Sequence, residues 1–207
     1  MGNKEIKDLR DLEQYNPKFS RAQQHNAEEA FDTLYRTPQN ASIDLLKPKE
    51  FAIAKEGDES FLDRPRKLGN YDSELDKITI RNQDYINKKV TSEQAPFFTQ
   101  ERVLIHENVH KKQEQRRRDF EMPRVRSEYN YYKEMDTSGK QSGLKEDLRL
   151  FNEQLKRSNV PLFKENKTDF FLSKPEEFPA LYTQLFPERI INPKSSLDRK
   201  INRLWFD

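Results

Sequence analysis

Apolar positions along this chain are sparse and fall into short periodic groups separated by long polar stretches, so its elements are read from spacing. The group Phe51-Ala-Ile-Ala is a short strand candidate. In DKITIRN, residues 76–82, Ile78 and Ile80 alternate with Thr79 and Arg81, the period of a half-buried strand. Between them, Asp63, Pro65, Gly69 and Asn70 read as turn formers. The longest helix is expected from about Pro96 to Phe120. Pro96 suits its first turn, and Phe97, Val103, Leu104 and Val109 form a buried stripe. Beyond Val109 the run KKQEQRRRDFE reads as a helix leaving the core for solvent.

Three more helices follow from the same period. Leu144, Leu148, Phe151 and Leu155 share one stripe over 144–156, which Asn159 to Pro161 should stop. Phe178, Leu181, Leu185 and Phe186 mark another, with Ser173 and Glu176 spaced as a capping box before it. Leu197, Ile201, Leu204 and Trp205 mark a last amphipathic helix closing the core. A short helix over Ser20 to Tyr35 would use Ala27, Ala30, Phe31 and Leu34. The segment 123–143, with Tyr129, Tyr131, Tyr132 and the breakers Ser138, Gly139, Ser142 and Gly143, reads as an excursion. Few strands and several helices predict an α+β class, mostly helical with a small mixed sheet. Residues 1–50, cut by Pro17, Pro38 and Pro48, read as a polar arm, either leader or packing segment; 51–207 are expected to form the main folded domain.

Composition narrows the chemistry. The 207 residues are 36% charged, yet 38 Lys and Arg face 36 Asp and Glu, for a net charge of +2. No chain-wide cationic field exists, which argues against a nucleic-acid partner, and Arg116 to Arg118 read as a solvated helix face. No apolar run reaches the roughly 18 residues of a transmembrane helix, and MGNKEIKDLRDLEQY lacks an apolar signal region, so export by the general secretory route is not expected. With no cysteine, thiolate nucleophiles and sulfur-ligated metals are excluded. Only His25, His106 and His110 can offer imidazoles.

Two of those three lie in His106-Glu107-Asn108-Val109-His110. On a helix, positions i and i+4 share a face, so both rings can reach one Zn²⁺ at about 2.0–2.1 Å. Glu107 projects beside them, close enough to take a proton from water as it attacks a polarised carbonyl. A chain of this length contains such a pentad by accident in roughly one case in a hundred or fewer. An oxygen donor should complete three protein ligands, and Asp169, Glu176, Glu177 and Glu188 all lie near apolar segments able to pack on this helix. The strand at Ile78, Thr79, Ile80 and Arg81 is read either as an edge that pairs with an extended substrate or as an ordinary core strand.

The pentad, with Glu177-Phe178-Pro179-Ala180 downstream, resembles the gluzincin zinc metallopeptidases, in particular anthrax lethal factor-like catalytic domains and related bacterial toxin peptidases. The resemblance covers about a dozen residues. It implies a zincin-like domain, one zinc per chain held by His106, His110 and Glu177, and Glu107 as catalytic base. It further implies an endopeptidase acting on a host cytosolic protein, held in a bacterial cytoplasm and then delivered by a specialised secretion system. Two positions depart from the pattern. Leu181 replaces an acidic residue that often steadies a zinc histidine, and Phe170 stands where a tyrosine often steadies the oxyanion. Tyr182, Tyr129, Tyr131 and Tyr132 are the candidates to replace that tyrosine. A zinc-binding interaction protein without turnover is the alternative reading.

Overall fold

The computed structural model describes residues 45–54, 67–118, 141–160 and 176–206, together with Leu34, Ile43, Phe170, Phe171 and Lys174. The candidate helix at 20–35, apart from Leu34, and the tyrosines at 129, 131 and 132 lie outside the described residues. So does Ser173 of the expected capping box.

Three strands, β1 (Glu50–Ala54), β2 (Gly69–Asp72) and β3 (Lys77–Arg81), form a mixed sheet in the order β1-β3-β2. β3 runs parallel to β1, with Phe51 opposite Ile78, and antiparallel to β2, with Gly69 opposite Ile80. This corrects the edge-strand expectation. Ile78, Thr79, Ile80 and Arg81 lie on the central strand and are all buried, so their backbone is already paired on both sides. β2 contains Gly69 and Asn70, which read locally as turn formers; pairing with β3 and packing on a helix override that preference. The β2–β3 turn closes where Asp72 accepts from the backbone N–H of Glu74 and Leu75, and where Asp76 takes a left-handed φ of 49°.

Among the described residues six helices follow: α1 (Gln83–Lys89), α2 (Gln100–Arg118), α3 (Gln141–Arg157), α4 (Glu177–Leu185), α5 (Pro187–Ile191) and α6 (Ser196–Trp205). The architecture is α+β, mostly helical, as the spacing predicts. Asn82 caps α1 by accepting from the Tyr85 N–H at 2.8 Å. Pro96 sits in a separate 3-10 turn, Ala95–Phe97, instead of the first turn of α2. α3 begins at Gln141 and so takes in Ser142 and Gly143, which the sequence assigned to an excursion. It stops as expected, with Asn159 left-handed at φ 48° and the Val160 N–H returning to the Leu155 carbonyl. α6 carries a true capping box, Ser195 with Asp198, and buries Leu197, Ile201, Leu204 and Trp205.

α2 lies between two apolar clusters. Val103, Leu104 and Ile105 pack with Ile78, Ile80 and Ile86 beneath the sheet side. The other cluster joins α3, α4, α5 and α6 around Phe151, Phe178, Tyr182 and Phe186. Ile43 and Leu45, from the polar first fifty residues, are also buried on the sheet side, and Asn108 of α2 clasps the Leu46 backbone, accepting from its N–H at 2.9 Å and donating to its carbonyl at 2.7 Å.

α4 runs antiparallel to α2, fixed by a bond at each end. Arg102 near the start of α2 donates to the carbonyls of Gln184 and Leu185 at 2.8 and 2.9 Å, where helix α4 leaves its carbonyls unpaired. Gln113, three turns later, donates to the Glu176 carbonyl at 2.8 Å, at the start of α4. Gln113 is therefore buried, and Lys112 beside it is buried with its ammonium over the Phe206 ring, although their polar surroundings read as solvent-facing.

Candidate metal centre

His106 and His110 project from one face of α2 toward the first turn of α4. That turn is set by Phe178, which is fully buried and packs against Phe151, Phe171 and Tyr182. Pro179 falls in the same turn, where an amide hydrogen has no helical acceptor, so its ring costs no hydrogen bond. Anchoring Phe178 leaves its neighbour Glu177 facing α2.

The result is a convergence of three Lewis-basic atoms. Nε2 of His106 and Nε2 of His110 are 3.2 Å apart, and Oε2 of Glu177 is 3.3 Å from the first and 3.5 Å from the second. Ligands around a tetrahedral zinc at about 2.0–2.1 Å are separated by about 3.3–3.4 Å, so the triangle has the size of one face of that tetrahedron. The rings meet edge to face, with centroids 4.9 Å apart. His106, His110 and Glu177 thus form a cluster able to hold a metal ion. Each is partly exposed, at 16%, 19% and 24% of its side chain, which leaves an approach from solvent. Of Glu176, Glu177 and Glu188, Glu177 alone joins the histidines; Asp169, the fourth carboxylate the sequence left open, lies outside the described residues.

The electrostatics favour a cation. Burial disfavours the charged form of His110, but hydrogen bonding to Glu177 and the charges of Glu107 and Glu177 outweigh it and raise the ring above its ordinary range. Burial likewise opposes ionisation of Glu177, yet His106 and His110 hold its carboxyl far below the usual range. Glu107 itself is buried, on the side of α2 that meets β2. Its charge still reaches His110.

One expectation needs correction. Tyr182 is 1% exposed and its hydroxyl donates to Asp198, which also accepts from Arg189 and from the backbone N–H of Lys194 and Ser195. It is a core residue turned toward α6, where its buried hydroxyl has an ionised acceptor, and it is no oxyanion donor. Glu176 is exposed and is the N-cap of α4 without a side-chain cap bond to that helix, and the expected box with Ser173 lies outside the described residues. Gly69 and Gln113, both in contact with the site, were not singled out by the sequence as site residues. Only Gln113 carried a signal: three positions after His110, it shares that residue's helical face. No protein-family model, curated protein or solved structure matches the chain.

Proposed function

We propose that this protein is a zinc-dependent endopeptidase of the gluzincin type, binding one zinc per chain through His106, His110 and Glu177. The observation that carries the reading is the ligand triangle, with edges of 3.2, 3.3 and 3.5 Å, next to Glu107 on the same helix. Zinc, when bound there, supplies a Lewis acid that polarises a peptide carbonyl and acidifies water. Glu107 accepts the proton of the attacking water at its carboxylate and returns it to the leaving amine. Gly69 sets where that carboxylate lies, because β2 passes directly over it. Among the described residues β2 is an edge strand, and it packs on α2, so an extended peptide can be held along it by main-chain pairing, in place of the β3 expectation. The substrate is a protein, and the toxin-like resemblance of the pentad and of Glu177 to Ala180 supports a host cytosolic target reached by specialised secretion.

The test is the appearance of new protein termini in a host-cell lysate treated with zinc-loaded protein, against a Glu107→Gln control. Termini that depend on Glu107 support peptidase chemistry. Tight zinc binding with no such termini in any lysate or peptide library would favour a zinc-binding interaction protein.

A further inference from the structure

Gln113 is buried on α2, one turn beyond His110, and its amide makes two bonds. Nε2 donates to the carbonyl oxygen of Glu176 at 2.8 Å, and Oε1 faces Nδ1 of His110 at 2.8 Å. A peptide carbonyl only accepts, so the end of the amide facing Glu176 must be the NH₂ end. The amide oxygen then faces His110 and can only accept, so Nδ1 of His110 must carry a hydrogen. In a neutral imidazole that leaves Nε2 bare, with its lone pair toward His106 and Glu177.

We infer that Gln113 is a positioning residue that selects the metal-binding tautomer of His110 and, with the same amide, seats the residue preceding Glu177. One side chain thereby ties together two ligands from two helices. It also supplies the partner that Leu181 cannot, from α2 instead of α4. This inference rests on the metal-centre reading and adds to it a single fixed chain of donors and acceptors, anchored on a backbone carbonyl whose role cannot reverse. His106 differs: its Nδ1 is buried with no hydrogen-bond partner among the described residues, so its tautomer is not set this way.

Two variants of similar bulk separate this role from packing. Gln113→Met fills the space and makes neither bond. Gln113→Glu keeps an acceptor for Nδ1–H and loses the donor to Glu176. Zinc affinity, read by competition with a chromophoric chelator, should fall in the order wild type, Glu variant, Met variant, with the Met variant about 10- to 100-fold weaker than wild type. Thermal stability of the metal-free proteins should run the other way between the two variants, because a buried thioether is better tolerated than a buried carboxylate. Nitrogen NMR of the histidines in the metal-free wild type, at a pH where the rings are neutral, should show His110 protonated at Nδ1. A Met variant that binds zinc as well as the Glu variant, or a wild-type His110 protonated at Nε2, overturns the inference. Wild-type protein that binds no zinc refutes the metal-centre reading instead, and the NMR measurement still decides the role of Gln113.

Discussion

Gly69 stands so close to Glu107 that a methyl group on its Cα would lie 2.6 Å from Oε1 and 2.7 Å from Cγ of that side chain, and 2.8 Å from Cγ1 of Val103. Side chains do not approach so closely, so one of the neighbours must move. Glu107 is the more flexible of the two, and Gly69→Ala should push its carboxylate aside while His106, His110 and Glu177 stay in place. Turnover should fall about a hundredfold, the scale expected for a misplacement near 1 Å, and zinc affinity should hold. Full turnover by Gly69→Ala would show that the carboxylate does not act from this position.

Glu107→Gln keeps the shape of the side chain but removes its ability to accept a proton. Zinc content should be unchanged and peptide cleavage should drop by about 10²- to 10⁴-fold. Cleavage at the wild-type rate by metal-loaded Glu107→Gln protein would remove Glu107 from the mechanism.

His106→Ala, His110→Ala and Glu177→Ala should each weaken zinc binding and reduce the stability gained on adding zinc, since a metal bound only by the folded chain stabilises in proportion to its occupancy. For wild type at a hundred times its dissociation constant, that gain is about 2.7 kcal/mol. Glu176→Ala is the control, because the backbone of Glu176 takes part while its side chain is exposed: its carbonyl accepts from Gln113, and its side chain makes no cap bond to α4. Thermal melts with zinc and with chelator that are the same for wild type and the three ligand variants would argue for two ordinary helix histidines.

Asp198 gives the fold a defined acid limit. Burial works against its charge, but hydrogen bonds from Arg189, Tyr182 and the backbone N–H of Lys194 and Ser195 outweigh burial and lower its pKa from the ordinary value. A carboxyl lowered in the folded state adds stability that is fully present above its unfolded pKa of about 3.9 and is lost as pH falls through the lower folded value. Asp198→Asn should cost on the order of 3 kcal/mol at neutral pH, where the ion pair with Arg189 is broken. It should also flatten the loss of stability below about pH 4. Parallel denaturation curves from pH 7 to 3 for wild type and variant would contradict this.

What could be read from the chain was local. The pentad places His106, Glu107 and His110 within about one helical turn, so spacing alone brings them together, and the stripes at Leu144 to Leu155 and Leu197 to Trp205 name their own buried faces. Residues whose role is set by a distant partner were misread. Gly69 and Asn70 are turn-forming residues and become a strand only because β3 lies alongside. Gln113 looks solvated until the start of α4, more than sixty positions later, meets it, and Lys112 until the Phe206 ring does. Tyr182 has the chemistry of an oxyanion donor, and Asp198 in the next helix but one takes its hydroxyl.

The bonds at the two ends of α4 bear on how such centres are found. Arg102 and Gln113 hold this helix to α2 directly, and Phe151 and Phe171 seat Phe178 from within the interval between His110 and Glu177. Insertions and deletions in that interval that spare these anchors should therefore change its length while the ligand geometry is kept. A sequence pattern with a fixed spacing from the pentad to the glutamate would pass over chains built this way. One that asks for an arginine four residues before the first histidine, a glutamine three after the second, and a glutamate opening any later helix would retrieve them.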